Sequence, residues 1–151
     1  MSTRYETDFQ SWIEEQTELL KKGHFSELDL PNLLEEMVDM GRSNHRELEN
    51  RLIIILLHLL KWKYQLKQLQ ETWKEFEGKS WKNTIIEQRY QLHKLLKQNP
   101  SLNRLILSTM EEIYADAARL AAEETGLDNK IFPTSCPFTP NDLLDNNFWP
   151  T

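Results

Sequence analysis

The sequence predicts an all-α fold, a bundle of about five helices around one long central helix, with a mostly extended C-terminal tail packed on the bundle. Three observations predict it. Apolar residues recur at steps of three and four along most of the chain, which is the spacing of one helical face. Only 4 glycines interrupt 151 residues, and 39% hydrophobic against 28% charged residues is the balance of a helical globular protein rather than a disordered or all-β one. In the stretch 52–60 nearly every position is apolar, and a helix that is apolar all round must be surrounded by others.

The elements follow in order. A first helix is predicted over residues 8–22, where Phe9, Trp12, Ile13, Gln16, Leu19 and Leu20 share a face and Gly23 ends it. Asp29 followed by Leu30 and Pro31 signals a second start, an acidic cap with proline in the first turn. Leu33, Leu34, Met37, Val38 and Met40 give that helix an apolar stripe, and Gly41 is expected to break or bend it. The longest helix is predicted over residues 43–76, because Leu48, Leu52, Ile55, Leu59, Trp62, Leu66, Leu69 and Trp73 alternate steps of four and three, the seam of a helix facing partners. Ile53, Ile54 and Ile55 each cost a few tenths of a kcal/mol inside a helix, which burial at about 1.5–3 kcal/mol per side chain outweighs.

Gly78 marks a turn, Ser80 is the expected cap of a fourth helix, and Pro100 stops it. Its inner positions are Trp81, Ile85, Gln88 or Arg89, Leu92, Leu95 and Leu96. Ser101 is the expected cap of a fifth, with Leu102, Leu105, Ile106, Met110, Ile113, Ala117, Leu120 and Ala121 inward, until Gly126. The segment 127–151 holds four of the six prolines and one short helix capped by Thr139, with Pro140 and Asp142 in its first turn. Ile131, Phe132, Phe138, Leu143, Leu144, Phe148 and Trp149 make it too apolar for a solvated tail. The whole of 1–151 reads as a single helical domain, with 127–151 wrapping over the bundle.

Composition narrows function mainly by exclusion. The apolar run 52–60 contains His58 and falls far short of the ~20 residues that cross a bilayer, so no membrane role is expected. Glu6, Asp8, Glu14 and Glu15 stand where a secretory signal would be basic and then apolar, and a lone Cys136 has nothing to pair with. The cytoplasm is the expected location. The net charge of −6 divides into blocks: 5 basic and 12 acidic residues over 1–50, 11 and 4 over 51–105, 2 and 8 over 106–151. A folded surface with basic and acidic sides is expected.

From end to end the residues also carry a resemblance. Tyr5, Asp8, Phe9 and Trp12 open it, and Leu28, Asp29, Asn32, Leu33, Glu35, Glu36, Met40 and Gly41 follow. It continues through Arg46, Glu47, Leu48 and Arg51, then His58, Leu59, Leu60, Lys61, Trp62, Tyr64 and Gln65. Ser80, Trp81, Thr84, Ile85, Gln88 and Arg89 precede Glu124, Thr125, Gly126 and Leu127, and Phe132, Pro133, Cys136, Pro137 and Phe138 close it. With these runs the chain resembles a bacterial family, domain of unknown function 29. The resemblance implies an all-helical fold and brings with it no activity, substrate or cofactor.

Each candidate site also has a structural reading. His58 lies in the apolar run, with Arg51 and Gln65 two turns away on either side. Such a histidine can titrate near neutrality or act as a base, but a neutral histidine hydrogen-bonded in the core is the commoner case. Glu35, Glu36, Asp39 and His45 form an acidic cluster, yet no histidine has a glutamate three residues before it, the pairing that helical di-metal sites use. No metal and no cofactor is expected. Residues 61–82 interleave Lys61, Lys63, Lys67, Lys74, Lys79 and Lys82 with Trp62, Tyr64, Trp73, Phe76 and Trp81, a pattern that can grip single-stranded nucleic acid. Trp62 and Trp73 fall on the core seam, however, and a pI near 5.3 argues against nucleic acid. Cys136 has no histidine near it in sequence, and there is no Gly-x-Ser-x-Gly elbow or His-Glu-x-x-His helix.

No catalytic residue is assigned. The leading expectation is a non-catalytic helical module that binds a protein partner or a second copy of itself through its oppositely charged faces. The alternative is an enzyme or small-ligand sensor whose pocket gathers Arg51, His58, Gln65, Gln88, Arg89 and Glu124, and a weaker third is nucleic-acid binding through the basic segment 51–105.

Overall fold

The computed structural model describes residues 4–72 and 78–151, without the side chains of residues 67, 68 and 70–72. Among the described residues there is no strand, and the helices are α1 (Arg4–Thr7), α2 (Phe9–Lys21), α3 (Leu30–Thr72), α4 (Lys79–Gln98), α5 (Ile106–Thr125) and α6 (Pro140–Leu144). The all-α expectation is met. The chain divides into two compact units, Met1–Ser43 and Asn44–Thr151, and each is described by itself.

The first unit forms around the start of α3. Asp8 caps α2 by accepting a hydrogen bond from the Ser11 amide at 3.1 Å, and Gly23 follows the helix with φ +73°, a conformation glycine adopts without penalty. The fully buried Trp12 donates its indole N–H to the Asp29 carboxylate at 3.0 Å, and the Asp29 amide donates to Gln16 Oε1 at 2.8 Å. Asn32 adds a side-chain donor to Asp29 at 2.8 Å. These donors, Asn32 foremost, hold the Asp29 carboxyl below the usual range. Tyr5 and Phe9 pack their rings on Trp12 at 4.7 and 5.5 Å.

At Gly41 the structure departs from expectation. The predicted second and third helices are one, α3, which passes through Gly41 without a break. Glycine in a helix interior costs only ~1 kcal/mol relative to alanine. Ending the helix there would leave carbonyls of the preceding turn and amides of the following one to find new partners, so continuation wins. The expected end near residue 76, with Trp73 and Phe76, lies outside the described residues.

The second unit is built on the remainder of α3. Leu52, Ile55, Leu56, Leu59 and Leu60 are fully buried, with Leu48 and Leu57 nearly so, while Ile53, Trp62, Leu66 and Leu69 are half-buried. At 3.6 residues per turn, buried positions 52 to 60 cover more than half of the helix circumference. They share one core with Ile85 and Leu92 of α4, Met110, Ala117 and Ala121 of α5, and Phe132, Phe138 and Leu143 of the tail.

The caps of α4 and α5 are corrected. Gly78, with φ +65°, is the N-cap of α4, and Ser80 lies inside the first turn, its carbonyl accepting from Thr84 Oγ1 at 3.0 Å. A 3₁₀ turn (Pro100–Leu105) precedes α5, so Ser101 caps nothing. Proline at the start of that turn and Asn99 before it make the tight turn the local solution. Gly126, φ +73°, ends α5, its amide donating to Ala122 O at 2.9 Å. The tail helix α6 has the expected box: Thr139 Oγ1 accepts from the Asp142 amide at 3.2 Å and Asp142 Oδ2 from the Thr139 amide at 2.9 Å.

Gly41→Ala tests the continuity of α3, since an added methyl meets nothing within 4 Å. The variant should raise the unfolding free energy by about 0.5–1 kcal/mol, read from denaturant melts. A loss of stability would mean that Gly41 is a bend after all.

Candidate functional site

The polar residues near His58 make their hydrogen bonds and ion pairs two by two. Arg51 Nη1 donates to Gln88 Oε1 at 3.0 Å, tying α3 to α4, and its Nη2 lies 3.5 Å from Glu47. Gln65 Nε2 donates to the Thr125 carbonyl at 3.2 Å, one of the acceptors that a helix C-terminus leaves open. Lys61 and Glu124 meet at 3.4 Å, and the Lys61 ammonium sits 5.7 Å from the Trp81 ring centre.

His58 itself is half-buried, and its Nδ1 lies 2.8 Å from the Ile54 carbonyl, four residues back on the same helix. A carbonyl only accepts, so Nδ1 carries the hydrogen. Burial is the largest influence and lowers the imidazole pKa below the ordinary 6.5; the Ile54 carbonyl opposes it, Lys61 adds to it, and Glu124 opposes it.

Arg89 anchors the tail. Only 1% exposed, it donates Nε to the Leu143 carbonyl at 2.9 Å and Nη2 to the Asp142 carbonyl at 2.8 Å, with its guanidinium 5.2 Å from the Trp149 ring centre. Burial lowers its pKa, while the Asp145 and Asp142 carboxylates oppose the shift. Two further struts went unnoticed in the sequence: His93 Nε2 at 2.7 Å from Leu144 O, and Tyr114 Oη donating to Pro133 O at 2.7 Å. Neither has a sequence signal, because each partner is a tail carbonyl.

The aromatic residues interleaved with lysines are packing groups. Trp62 lies 5.0 Å from Trp149, Tyr64 5.4 Å from Phe132, and Lys82 sits over Trp149 at 5.5 Å. Trp73, Lys74 and Phe76, and the side chain of Lys67, lie outside the described residues. A polar cavity of about 480 Å³ is lined by Trp62, Lys79, Lys82 and Asn83, not by the residues around His58. The half-buried Cys136 thiol donates to Phe138 O at 3.4 Å, and burial pushes its pKa up, the reverse of what a thiolate nucleophile needs. Of the acidic cluster, Glu36 accepts from Tyr5 Oη at 2.6 Å, which pushes the phenol up to about 12, and Asp39 lies 3.8 Å from Arg42. Among the described residues no group of three or more His, Cys, Asp or Glu is placed to hold a metal ion, and no helix is long and apolar enough to cross a membrane.

A second candidate lies in the first unit, on the apolar stripe that opens α3. Leu34 is 64% and Met37 68% exposed, and Val38 and Met40 are exposed with them. Together Leu20, Leu28, Leu30, Leu33, Leu34 and Met37 line a groove of about 440 Å³ whose walls are almost wholly apolar. The signal was present in sequence. The apolar positions 30, 33, 34, 37, 38 and 40 span an arc of α3 of about 160° at 100° per residue, more than the single short α2 can cover.

Two substitutions test the polar framework. Because the folded state holds His58 neutral, the unfolded chain binds the extra proton between the two pKa values; stability from this group is present above about pH 6.5 and lost as pH falls below it. His58→Asn should flatten the stability-versus-pH slope just below pH 6.5; an unchanged slope would remove His58 as its source. Arg89→Ala should lower the unfolding free energy by about 3 kcal/mol, by leaving two tail carbonyls without donors, and should speed proteolysis within 139–151. A cost under about 1 kcal/mol, the size of a surface change, would show that the tail is held by its apolar side chains alone.

No curated protein and no solved structure matches the chain. The family model described as Domain of unknown function DUF29 matches residues 4–149. With nearly its whole length covered, the chain belongs to that family.

Proposed function

We propose that the chain is a non-catalytic helical module of the cytoplasm that binds a protein partner through the groove of the first unit. The supporting observation is the contrast between two surfaces. Around His58, Arg51 and Arg89 most polar atoms have structural partners, with only Arg51 Nε and Arg89 Nη1 buried without one, which weighs against a ligand pocket there. In the groove, Leu30, Leu34 and Met37 stand in water. Covering a side chain of this kind is worth about 1.5–3 kcal/mol, and contiguous exposed apolar surface of this sort marks interaction sites. The shape suits the apolar face of a partner helix, whose anchors recur at i, i+3 or i+4, and i+7.

Panning a displayed library of random helical peptides against the full chain tests this reading. Enriched peptides should carry large apolar residues at those spacings and lose binding at least ~10-fold, about 1.4 kcal/mol, to Leu34→Asp. No enrichment over the Leu34→Asp chain would contradict it.

A further inference from the structure

We infer that the occupant of the groove is the outer face of α4 of a second copy of this chain. The inference rests on the groove reading and adds the partner's identity.

The argument begins with charge. Met1–Ser43, which contains the groove, holds ten acidic and four basic residues. An apolar patch on so acidic a unit selects a partner whose apolar anchors are flanked by cations, and it disfavours the groove of a second copy, which has the same sign. The chain carries such a surface itself. On α4, Ile86 is 49% and Tyr90 64% exposed, one turn apart, and neither belongs to the core. Lys79 and Lys82 precede this pair and Lys94 and Lys97 follow it, all four exposed. At 100° per residue, residues 79, 82, 86, 90 and 97 fall within one stripe about 80° wide, with 94 about 40° beyond it. Glu87 is the single acidic residue in Lys79–Gln98. An i, i+4 apolar pair between lysines is the complement of an apolar groove on an acidic unit.

The contact is heterologous, since a groove on one molecule receives a helix face of another. Each copy in a pair would retain one free groove or one free stripe, so association grows or closes into a ring. A helix face seated in one groove falls at the small end of interface sizes, which places the contact among weak ones. Opposite charges around it make the association stronger at low salt.

The test is sedimentation of the full chain over a concentration series at about 0.05 M and about 0.5 M salt, with two exposed-site variants. The unaltered chain should form concentration-dependent oligomers that weaken at the higher salt. Leu34→Asp, which spoils the groove, and Ile86→Asp/Tyr90→Asp, which spoils the stripe, should each be monomeric alone with unchanged circular dichroism. Mixed, they should form a 1:1 dimer and nothing larger, because one supplies the intact stripe and the other the intact groove. Lys79→Glu/Lys97→Glu, confined to exposed lysines, should weaken association at least ~10-fold, about 1.4 kcal/mol, and covers the case in which an aspartate variant fails to fold. A monomer at every concentration, a mixture that stays monomeric, or a Leu34→Asp chain that still oligomerises would overturn the inference. If the chain is monomeric yet selects displayed helical peptides, the second copy is wrong and the groove stands; if it does neither, both fall.

Discussion

Enclosure of one apolar stretch, residues 52–60 of α3, is the constraint on which the second unit depends. Three successive isoleucines there disfavour helix, and only surrounding side chains make helix the lowest state. The core that buries Ile55, and against which Ile53 packs, comes from α4, α5 and the tail, so elements distant in sequence become conditional on one another. The polar residues follow from that enclosure. Arg51 and His58 stand next to the apolar run, and each must find a partner or bear the cost of burial; Gln88 and the Ile54 carbonyl supply it. Arg89 extends the same logic to the tail, trading desolvation for two carbonyls and an indole face.

Features written in neighbouring residues were legible in the sequence. Asp8 at the start of α2 and the Thr139–Asp142 box need only a few residues to declare themselves, and both are found. Local rules failed where two of them competed. Gly41 has the residue type of a break but sits between stretches that are both helical, and the ladder continues across it. Ser80 and Ser101 are good caps in isolation, yet Gly78 already turns the chain before one and Pro100 tightens the turn around the other.

The candidate sites were legible in kind but not in arrangement. The sequence shows that Arg51, His58, Gln65, Gln88 and Arg89 lie on or beside inward stripes, with Glu124 a candidate to close the group, but Arg51 finds Gln88 across 37 residues and Gln65 finds Thr125 across 60. Periodicity carries no information at that range. The groove was not legible for a different reason: the spacing of apolar residues marks one face of a helix but does not say whether another element covers it. Five exposed apolar positions, Leu30, Leu34, Met37, Val38 and Met40, crowd the first turns of α3, whereas Ile86, Tyr90, Leu107 and Ile131 of the second unit are spread over α4, α5 and the tail. Function is therefore argued from that uncovered surface, since a helical fold by itself specifies none.

The enclosure can be tested directly by native-state hydrogen exchange on the full chain. If the account is right, the amides of residues 52–60 are the slowest to exchange and open only with global unfolding, their opening free energy falling with denaturant as steeply as the melt itself. Those of residues 30–40, on the same helix but with one apolar face in water, exchange sooner. Exchange of residues 52–60 at the rate of 30–40, with no denaturant dependence, would contradict the claim that surrounding side chains hold this helix in place.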